Sequence, residues 1–230
     1  MSQPNPNKTV FISYRRQVAS FIARAIFLDL RAYGYDVFMD VESIDSGKFE
    51  DIILSQIAAR THFIIVLTPG TVERCIEPGD WLRREIEYAI DLDRNIVPLM
   101  VNDFSFRDTK TYLTGKLSDL EKYSGTFLRH EDFDDNMRKL RTRWLKPPQK
   151  PILVTPPTPA EQAAAEQKIE EAAALPAPTE QELSAEKLFI RGLTKRQKED
   201  LEGAIDDYSE AIRLNPIICL CLQQSRCLVR

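Results

Sequence analysis

The sequence lacks a hydrophobic run long enough to cross a membrane. Its longest aliphatic and aromatic runs are short, as at residues 63–67, whereas a spanning helix needs about 20 apolar residues. The first seven residues show no basic patch followed by an apolar stretch, so the sequence predicts no secretory signal. We therefore expect a cytoplasmic protein with no membrane partner.

Basic charge is also scarce. The chain has 31 Lys and Arg residues against 35 Asp and Glu residues, which gives a formal net charge of −4 at pH 7. A dedicated nucleic-acid binder is normally basic. The composition therefore predicts no nucleic-acid partner.

Metal-ligand and nucleotide-binding motifs are missing as well. The two histidines, His62 and His130, lie far from the three cysteines that crowd into the last dozen positions, and the cysteine spacing matches no zinc pattern. We expect reduced thiols and no metal site. The chain has neither a G-x-x-x-x-G-K-S/T phosphate loop nor a G-x-G-x-x-G dinucleotide fingerprint. Two common phosphate- and dinucleotide-binding motifs are therefore excluded.

Proline divides the chain into parts. Eight of the 14 prolines fall between Pro147 and Pro178, in a stretch that is typical of an extended linker. Inside it, residues 160–175 are rich in Ala, Glu and Gln and could form a short helix, marginal by itself at that length. We predict a body (1–146), a Pro- and Ala-rich linker (147–183) and a helical tail (184–230).

The body alternates short apolar runs with helical stripes. Such alternation predicts a doubly wound α/β fold with a mostly parallel sheet and helices on both faces. Pro98 lies inside the fourth predicted strand and indicates an edge strand or a bulge. The five predicted strands are at residues 9–13, 36–40, 63–67, 95–100 and 126–128.

Three loops are expected to supply the functional residues. Ligands bind outside the carboxyl ends of parallel strands, which here lead into residues 13–16, 41–48 and 68–80. In the first loop, Arg15 and Arg16 could meet a phosphate through paired hydrogen bonds, although an exposed Arg pair is usually a solvated surface.

The second loop offers three different side chains. Gly47 gives flexibility, Lys48 a cation and Phe49 an exposed-looking aromatic ring. The alternative is a simple turn in which Phe49 anchors the helix that follows.

Glu85 is the candidate functional group of the segment that follows the third loop. It lies three residues beyond Leu82 and four before Ala89, on a stripe otherwise used for packing, and it shares a helix face with Trp81. Burial can perturb the pKa of such a carboxylate. On the pattern alone, the favoured interpretation is a surface glutamate at the edge of the stripe, with Trp81 in the core. Glu87 faces away and should be solvated.

Several segments, taken in order, resemble a TIR domain (Toll/interleukin-1 receptor/resistance type) over residues 8–145. The likeness is greatest to the TIR domains that cleave NAD. Several segments in the right order are more specific than any single motif. The matching segments are residues 10–16 (VFISYRR), 37–42 (VFMDVE), 46–51 (SGKFED), 63–70 (FIIVLTPG), Cys75, 80–86 (DWLRREI) and 95–98 (NIVP).

The resemblance implies a flavodoxin-like, five-stranded TIR fold and NAD+ glycohydrolase activity in signalling or defence. Cleavage of the nicotinamide–ribose bond would give nicotinamide and ADP-ribose or a cyclic form. Nicotinamide leaves as a neutral molecule, so the site must stabilise an oxocarbenium-like ribose rather than supply a general acid. By motif match Glu85 takes the catalytic position, and Trp81 packs beside the nucleotide. NAD+ is then a substrate and no resident cofactor is implied.

The resemblance also assigns binding residues. Arg15 and Arg16 lie near the family's phosphate–ribose site, and Gly47, Lys48 and Phe49 belong to its mobile loop. Family members typically become active by assembling, so a homo-oligomer through TIR–TIR contacts is expected. The alternative is a non-enzymatic scaffold that signals by self-association, in which the carboxylate has no role.

The tail resembles one tetratricopeptide repeat, a two-helix unit. Gly192, Ala204, Tyr208, Ala211 and Pro216 fall at the spacings of that unit. One repeat cannot bury its own apolar face. The tail is therefore unstable alone, packed on another copy, or the remnant of a longer array, and it is either a module for a protein partner or a degenerate stub.

Overall fold

The computed structural model describes residues 6–39, 47–101, 103–129, 132–148, 152–174, 180–197 and 199–214. Most of the second predicted loop (residues 41–46), together with Pro216 and the last three cysteines, lies outside the described residues. Within the described ranges, none of the helices is both long and apolar enough to span a bilayer.

Five strands form one parallel sheet. Their order is β2-β1-β3-β4-β5, and each neighbouring pair is parallel. The predicted doubly wound, flavodoxin-like sheet is confirmed, and every predicted strand is present. The strands are β1 (Thr9–Tyr14), β2 (Asp36–Met39), β3 (His62–Leu67), β4 (Asn95–Val101) and β5 (Thr126–Leu128).

Helices cover both faces of the sheet. One face packs against α1 (Arg16–Ala32) and α5 (Phe133–Lys139), which continues as a π-helical turn (Leu140–Trp144). The other face packs against α2 (Gly47–Ala58) and α3 (Trp81–Asp91). The remaining short elements are α4 (Phe106–Thr109) and 3₁₀ turns at Pro6–Lys8, Glu73–Ile76 and Gly115–Lys122.

A row of three phenylalanines shows how register builds the core. Phe11 on β1 pairs in register with Phe38 on β2 and with Phe63 on β3. Residues in register point to the same face of a sheet, and both ring pairs stack with their centroids 5.5 Å apart. All three side chains are at most 1% exposed. The apolar strands that the sequence predicted are therefore the centre of the fold.

Pro98 does not mark an edge strand. β4 lies between β3 and β5, so the predicted edge strand was wrong, and no bulge interrupts its register with β3, which runs continuously through Ile65 and Pro98. The β4–β5 ladder begins only at Leu99 with Thr126. Gly125, just before β5, lies so close to the Pro98 carbonyl oxygen that an added Cβ would be 2.5 Å from it. Proline has no backbone N–H, and Pro98 precedes the first residue of β4 that pairs with β5, so the strand tolerates it.

The predicted linker contains a helix that packs on the body. α6 (Pro159–Ala174) buries Ala165 and Ala172 and lies against β2 and α2. It begins with a capping box, in which Thr158 and Glu161 exchange hydrogen bonds through their backbone amides. The segment is therefore not an extended tether. It covers the β2 edge of the sheet, where an open strand could pair with another chain.

The tail forms the predicted helical hairpin and docks on the body. In α7 (Glu180–Gln197) and α8 (Leu201–Leu214), an added Cβ on Gly192 would meet the Tyr208 ring at 2.6 Å, so the small residue permits close contact. The hairpin buries Phe189 against Val18 of α1. The side of the hairpin that faces α1 is thus covered by its own chain, a contact that the sequence did not predict.

Replacing Phe189 tests this docking. Phe189 is 3% exposed and contacts the Tyr208 ring, so Phe189→Ala should cost about 3–5 kcal/mol of hairpin stability. Amide hydrogen exchange along α7 and α8 measures the loss. Leu201, 61% exposed, is the control, and Leu201→Ala should change stability by less than about 0.5 kcal/mol. Unchanged protection in the Phe189 variant would contradict the docked arrangement.

Candidate active site

The site lies where the strand order reverses. β2 and β3 flank β1 on opposite sides. The chain therefore leaves β1 towards one edge of the sheet and leaves β3 towards the other. In such sheets, ligands bind between the carboxyl ends of these two strands. Tyr14 pairs with Val66 near these ends. The loops that follow the two strands, both predicted to be functional, therefore begin side by side.

Glu85 is buried at this edge. It belongs to the packed face of α3, together with Leu82, Ile86 and Ala89, and it is 6% exposed. The interpretation as a surface glutamate was therefore wrong. The residue spacing placed Glu85 on the packed face of α3. The sequence did not show that the end of β1 covers this part of the face.

Ser13 holds this carboxylate. Its Oγ donates a hydrogen bond of 2.5 Å to Glu85 Oε2, and both residues are buried. The hydroxyl is the donor in this bond, because it carries the hydrogen and a carboxylate oxygen accepts. The bond joins residues 72 positions apart, so only the fold brings them together.

A second buried contact joins the same two elements. The Arg15 guanidinium donates to both carboxylate oxygens of Asp80 at 2.9 and 2.8 Å, and its Nε donates to the Thr71 carbonyl at 3.1 Å. Asp80 is also the N-cap of α3, where it accepts from the Arg83 amide. Arg15 is therefore a buried connection between β1 and α3, and the alternative of a solvated Arg pair is wrong for this residue.

Burial and charge oppose one another in this pair. Burial alone would raise the pKa of Asp80, but the hydrogen bonds and charge of Arg15 outweigh it and hold the pKa below its ordinary value. Burial likewise acts to lower the pKa of Arg15, and Asp80 reverses that effect, so the pKa is raised. Both groups therefore stay charged at neutral pH. The neighbouring Cys75 thiol has a raised pKa, chiefly through burial, and stays protonated.

The loop after β3 supports this arrangement. Thr68 donates its amide to Thr71 Oγ1 at 2.9 Å, which closes a turn through Gly70 at a φ of +91°. The Gly70 amide donates to Glu73 at 2.8 Å. Burial raises the pKa of Glu73. The turn presents the Thr71 carbonyl to Arg15, so its function in the site is structural.

Trp81 connects α3 to α2. It lies one turn before Glu85, and the Arg84 guanidinium stacks on its ring at 4.5 Å. Arg84 in turn donates to Glu50 of α2 at 3.2 Å. The indole Nε1 is buried and has no hydrogen-bond partner among the described residues. Trp81 is only partly buried, as a contact surface for a ligand requires.

The other predicted site residues lie around this centre. Arg16 is the first residue of α1, directly after Arg15, and is partly buried. Gly47, Lys48 and Phe49 form the first turn of α2 instead of a loop, next to Glu50. The backbone of this turn therefore lies on the Trp81 side of the site.

These elements place the buried Glu85 carboxylate one helical turn from Trp81 and near the Arg15 guanidinium, which Asp80 holds in place. Such a carboxylate can stabilise a positive charge that develops on a bound molecule. Among the described residues, no three His, Cys, Asp or Glu side chains converge as a metal-binding group.

Comparison with known proteins decides the family. The profile described as TIR domain matches residues 10–141. The chain belongs to the TIR domain family. The described sheet and helices lie mostly within this match, so the TIR domain accounts for both the fold and the candidate site.

Three curated relatives match the same region. The chain is 34% identical over 134 residues to the NAD(+) hydrolase tir-1 of Caenorhabditis elegans, covering 57% of this chain and 14% of that protein. It is 33% identical to the NAD(+) hydrolases sarm1 of Drosophila melanogaster and SARM1 of Danio rerio, covering 60% of this chain in each case and 10% and 20% of those proteins. The chain thus spans a fifth or less of the length of these relatives.

Two residues of the candidate site, Ser13 and Asp80, lie in the loops that the sequence predicted to be functional, but their contacts were not predicted. Asp80 directly precedes an amphipathic helix, a position that favours an N-cap, but its ion pair with Arg15 had no local signal. Ser13 ends a predicted strand, and nothing in its neighbourhood indicates a bond to a residue 72 positions away. Both contacts depend on which strand ends become neighbours.

The buried pair makes a prediction about stability. Asp80→Asn keeps an N-cap side chain but leaves the Arg15 charge unpaired, so unfolding free energy should fall by about 3–5 kcal/mol. Urea denaturation at neutral pH measures it. Asp91→Asn is the control, because its half-exposed pair with Lys116 should contribute less than about 1 kcal/mol. Equal effects of the two variants would contradict the structural role of the Arg15 pair.

The same pair predicts an acid-dependent loss of stability. Because the pKa of Asp80 is lower in the folded state, its contribution is present above the unfolded pKa of about 3.9 and is lost as the pH falls through the folded value. Denaturation midpoints measured across this range should fall less steeply for Asp80→Asn than for the wild type. Parallel curves would show that Asp80 is not the group responsible.

Proposed function

We propose that this TIR domain is an NAD+ nucleosidase that hydrolyses the nicotinamide–ribose bond. The single observation that carries the proposal is the buried Glu85 carboxylate, held by Ser13 at the carboxyl edge of the sheet. The names of the three relatives supply the substrate class, since each is an NAD(+) hydrolase. The proposed products are nicotinamide and ADP-ribose or a cyclic form of it.

The chemistry suits a site with one carboxylate. The nicotinamide ring of NAD+ is cationic and leaves as a neutral molecule, so its departure needs no proton. Positive charge then develops on the ribose, and a fixed carboxylate lowers the energy of that state. Glu85 would face the ribose, hold its hydroxyls and assist attack by water or by an adenine nitrogen.

The surrounding residues have proposed binding roles. Trp81 would pack against the nucleotide through its partly exposed ring. Arg16, Lys48 and Phe49 would contact the phosphates and ribose from the ends of α1 and α2, with Gly47 allowing that turn to adjust. The role proposed for Arg15 changes: with Asp80 and Thr71 as partners, it would support the site from within.

Assembly and location complete the proposal. Copies of the domain would associate through TIR–TIR contacts, act on cytoplasmic NAD+ and signal through its depletion or its products. The hairpin of α7 and α8 would be a single tetratricopeptide-like unit.

A second candidate function is that of a scaffold without enzymatic activity. The observation that favours it is the outer face of α8, where Leu201 and Ile205 are 61% and 62% exposed. Adjacent apolar side chains of this kind suit a protein partner. In that case the domain signals by self-association and Glu85 has only a packing role.

Replacing Glu85 separates the two candidates. Glu85→Gln keeps the shape but removes the charge, so nicotinamide release from NAD+ by purified, concentrated protein should fall by at least about 100-fold. Glu87→Gln is the control, because Glu87 lies two residues away on the same helix and pairs with Arg83. Release that survives unchanged in the Glu85 variant would remove it from the mechanism. No release from the wild type, even when it is clustered, would favour the scaffold.

A further inference from the structure

We propose that Ser13 is a positioning residue for Glu85: its hydroxyl fixes the carboxylate in the orientation that the reaction needs. The inference rests on the proposed hydrolysis of NAD+ and adds a residue that acts on the substrate only through Glu85. It is carried by the buried 2.5 Å bond between Ser13 Oγ and Glu85 Oε2.

The donor lies on an interior strand of the sheet. Ser13 is 1% exposed, and its strand is central, with β2 pairing on one side and β3 on the other. In register, Ser13 pairs with Ile65 of the fully buried β3. A donor on a paired central strand moves little, so it can define a geometry more closely than a loop residue can.

The acceptor is anchored at the same strand end. Asp80, the N-cap of α3, binds Arg15, which lies two residues beyond Ser13. This pair fixes where the helix starts but does not set the torsion angles of the Glu85 side chain. The Ser13 hydroxyl bonds directly to the carboxylate and therefore controls what the helix alone leaves open.

The proposed reaction depends on the orientation of the Glu85 carboxylate. A developing positive charge on ribose is stabilised best by a negative group that is already in place, because no reorganisation is then needed during the reaction. A displacement of about 1 Å at a reacting group can cost about 100-fold in rate. The hydroxyl also gives the buried carboxylate a hydrogen-bond donor that does not depend on the substrate.

Steady-state kinetics of nicotinamide release from NAD+ test the role. Ser13→Ala should lower kcat by about 10- to 100-fold, the loss expected for a hydrogen bond to a charged group, with KM changed by less than about threefold. Ser13→Thr keeps a hydroxyl and should retain most of the activity. Ser13→Cys fills the same position with a weak donor and should resemble the alanine variant. Ser55→Ala, whose hydroxyl donates to the Ile52 carbonyl within α2, is the matched control and should resemble the wild type.

A measurement without NAD+ tests the bond itself. Urea unfolding of Ser13→Ala, Glu85→Ala and the double variant forms a thermodynamic cycle, in which each single variant removes the bond. If the two groups interact, the double variant should lose less stability than the sum of the losses in the two single variants. We expect this difference to correspond to at least about a threefold change in the unfolding equilibrium constant.

The outcomes distinguish failure of this inference from failure of the proposed function. Coupling in the cycle, together with a kcat loss that threonine restores, supports the inference. Absence of coupling overturns it whatever the activity is, and so does a Ser13→Ala enzyme with wild-type kcat. A wild type that releases no nicotinamide rejects the proposed function and, with it, the catalytic role of the Ser13 bond, even if the cycle shows that the bond exists.

Discussion

The buried ion pair between Arg15 and Asp80 joins the end of β1 to the start of α3, and the geometry of the site depends on it. Burying two charges costs free energy, and this cost is offset only when the ions pair closely and their remaining donors and acceptors also form hydrogen bonds. Here the guanidinium meets both carboxylate oxygens and a backbone carbonyl, and the carboxylate also caps the helix. The first turn of α3 is therefore tied to the central strand.

Glu85 gains its position from that connection. One turn into α3, it reaches the end of β1 and meets Ser13 at 2.5 Å. Trp81, on the same helix, stays partly exposed and is linked through Arg84 to Glu50 at the start of α2. Three elements that are distant in sequence thus meet at one edge of the sheet, each tied to the next by a charged contact.

The chain beyond the family match adds packing to the same body. α6 covers the β2 edge, and the hairpin of α7 and α8 buries Phe189 against Val18 at the beginning of α1. Inside the hairpin, the buried Asp207 pairs with Arg191 and with Lys195. These contacts give each segment a partner within this chain, where the sequence had predicted an extended linker and a repeat that is unstable alone, packed on another copy or left from a longer array.

The sequence by itself determined the strands, the helices and their alternation, because hydrophobic periodicity is local and the parallel sheet follows from it. It also placed Glu85 on the packing stripe of α3. The tertiary structure decided that Glu85 is buried, that Arg15 faces inward and that Pro98 lies in an interior strand. It also decided that α6 and the hairpin dock on the body. Each of these outcomes depends on a partner far along the chain, and neither spacing nor composition records which distant surface will cover a given side chain.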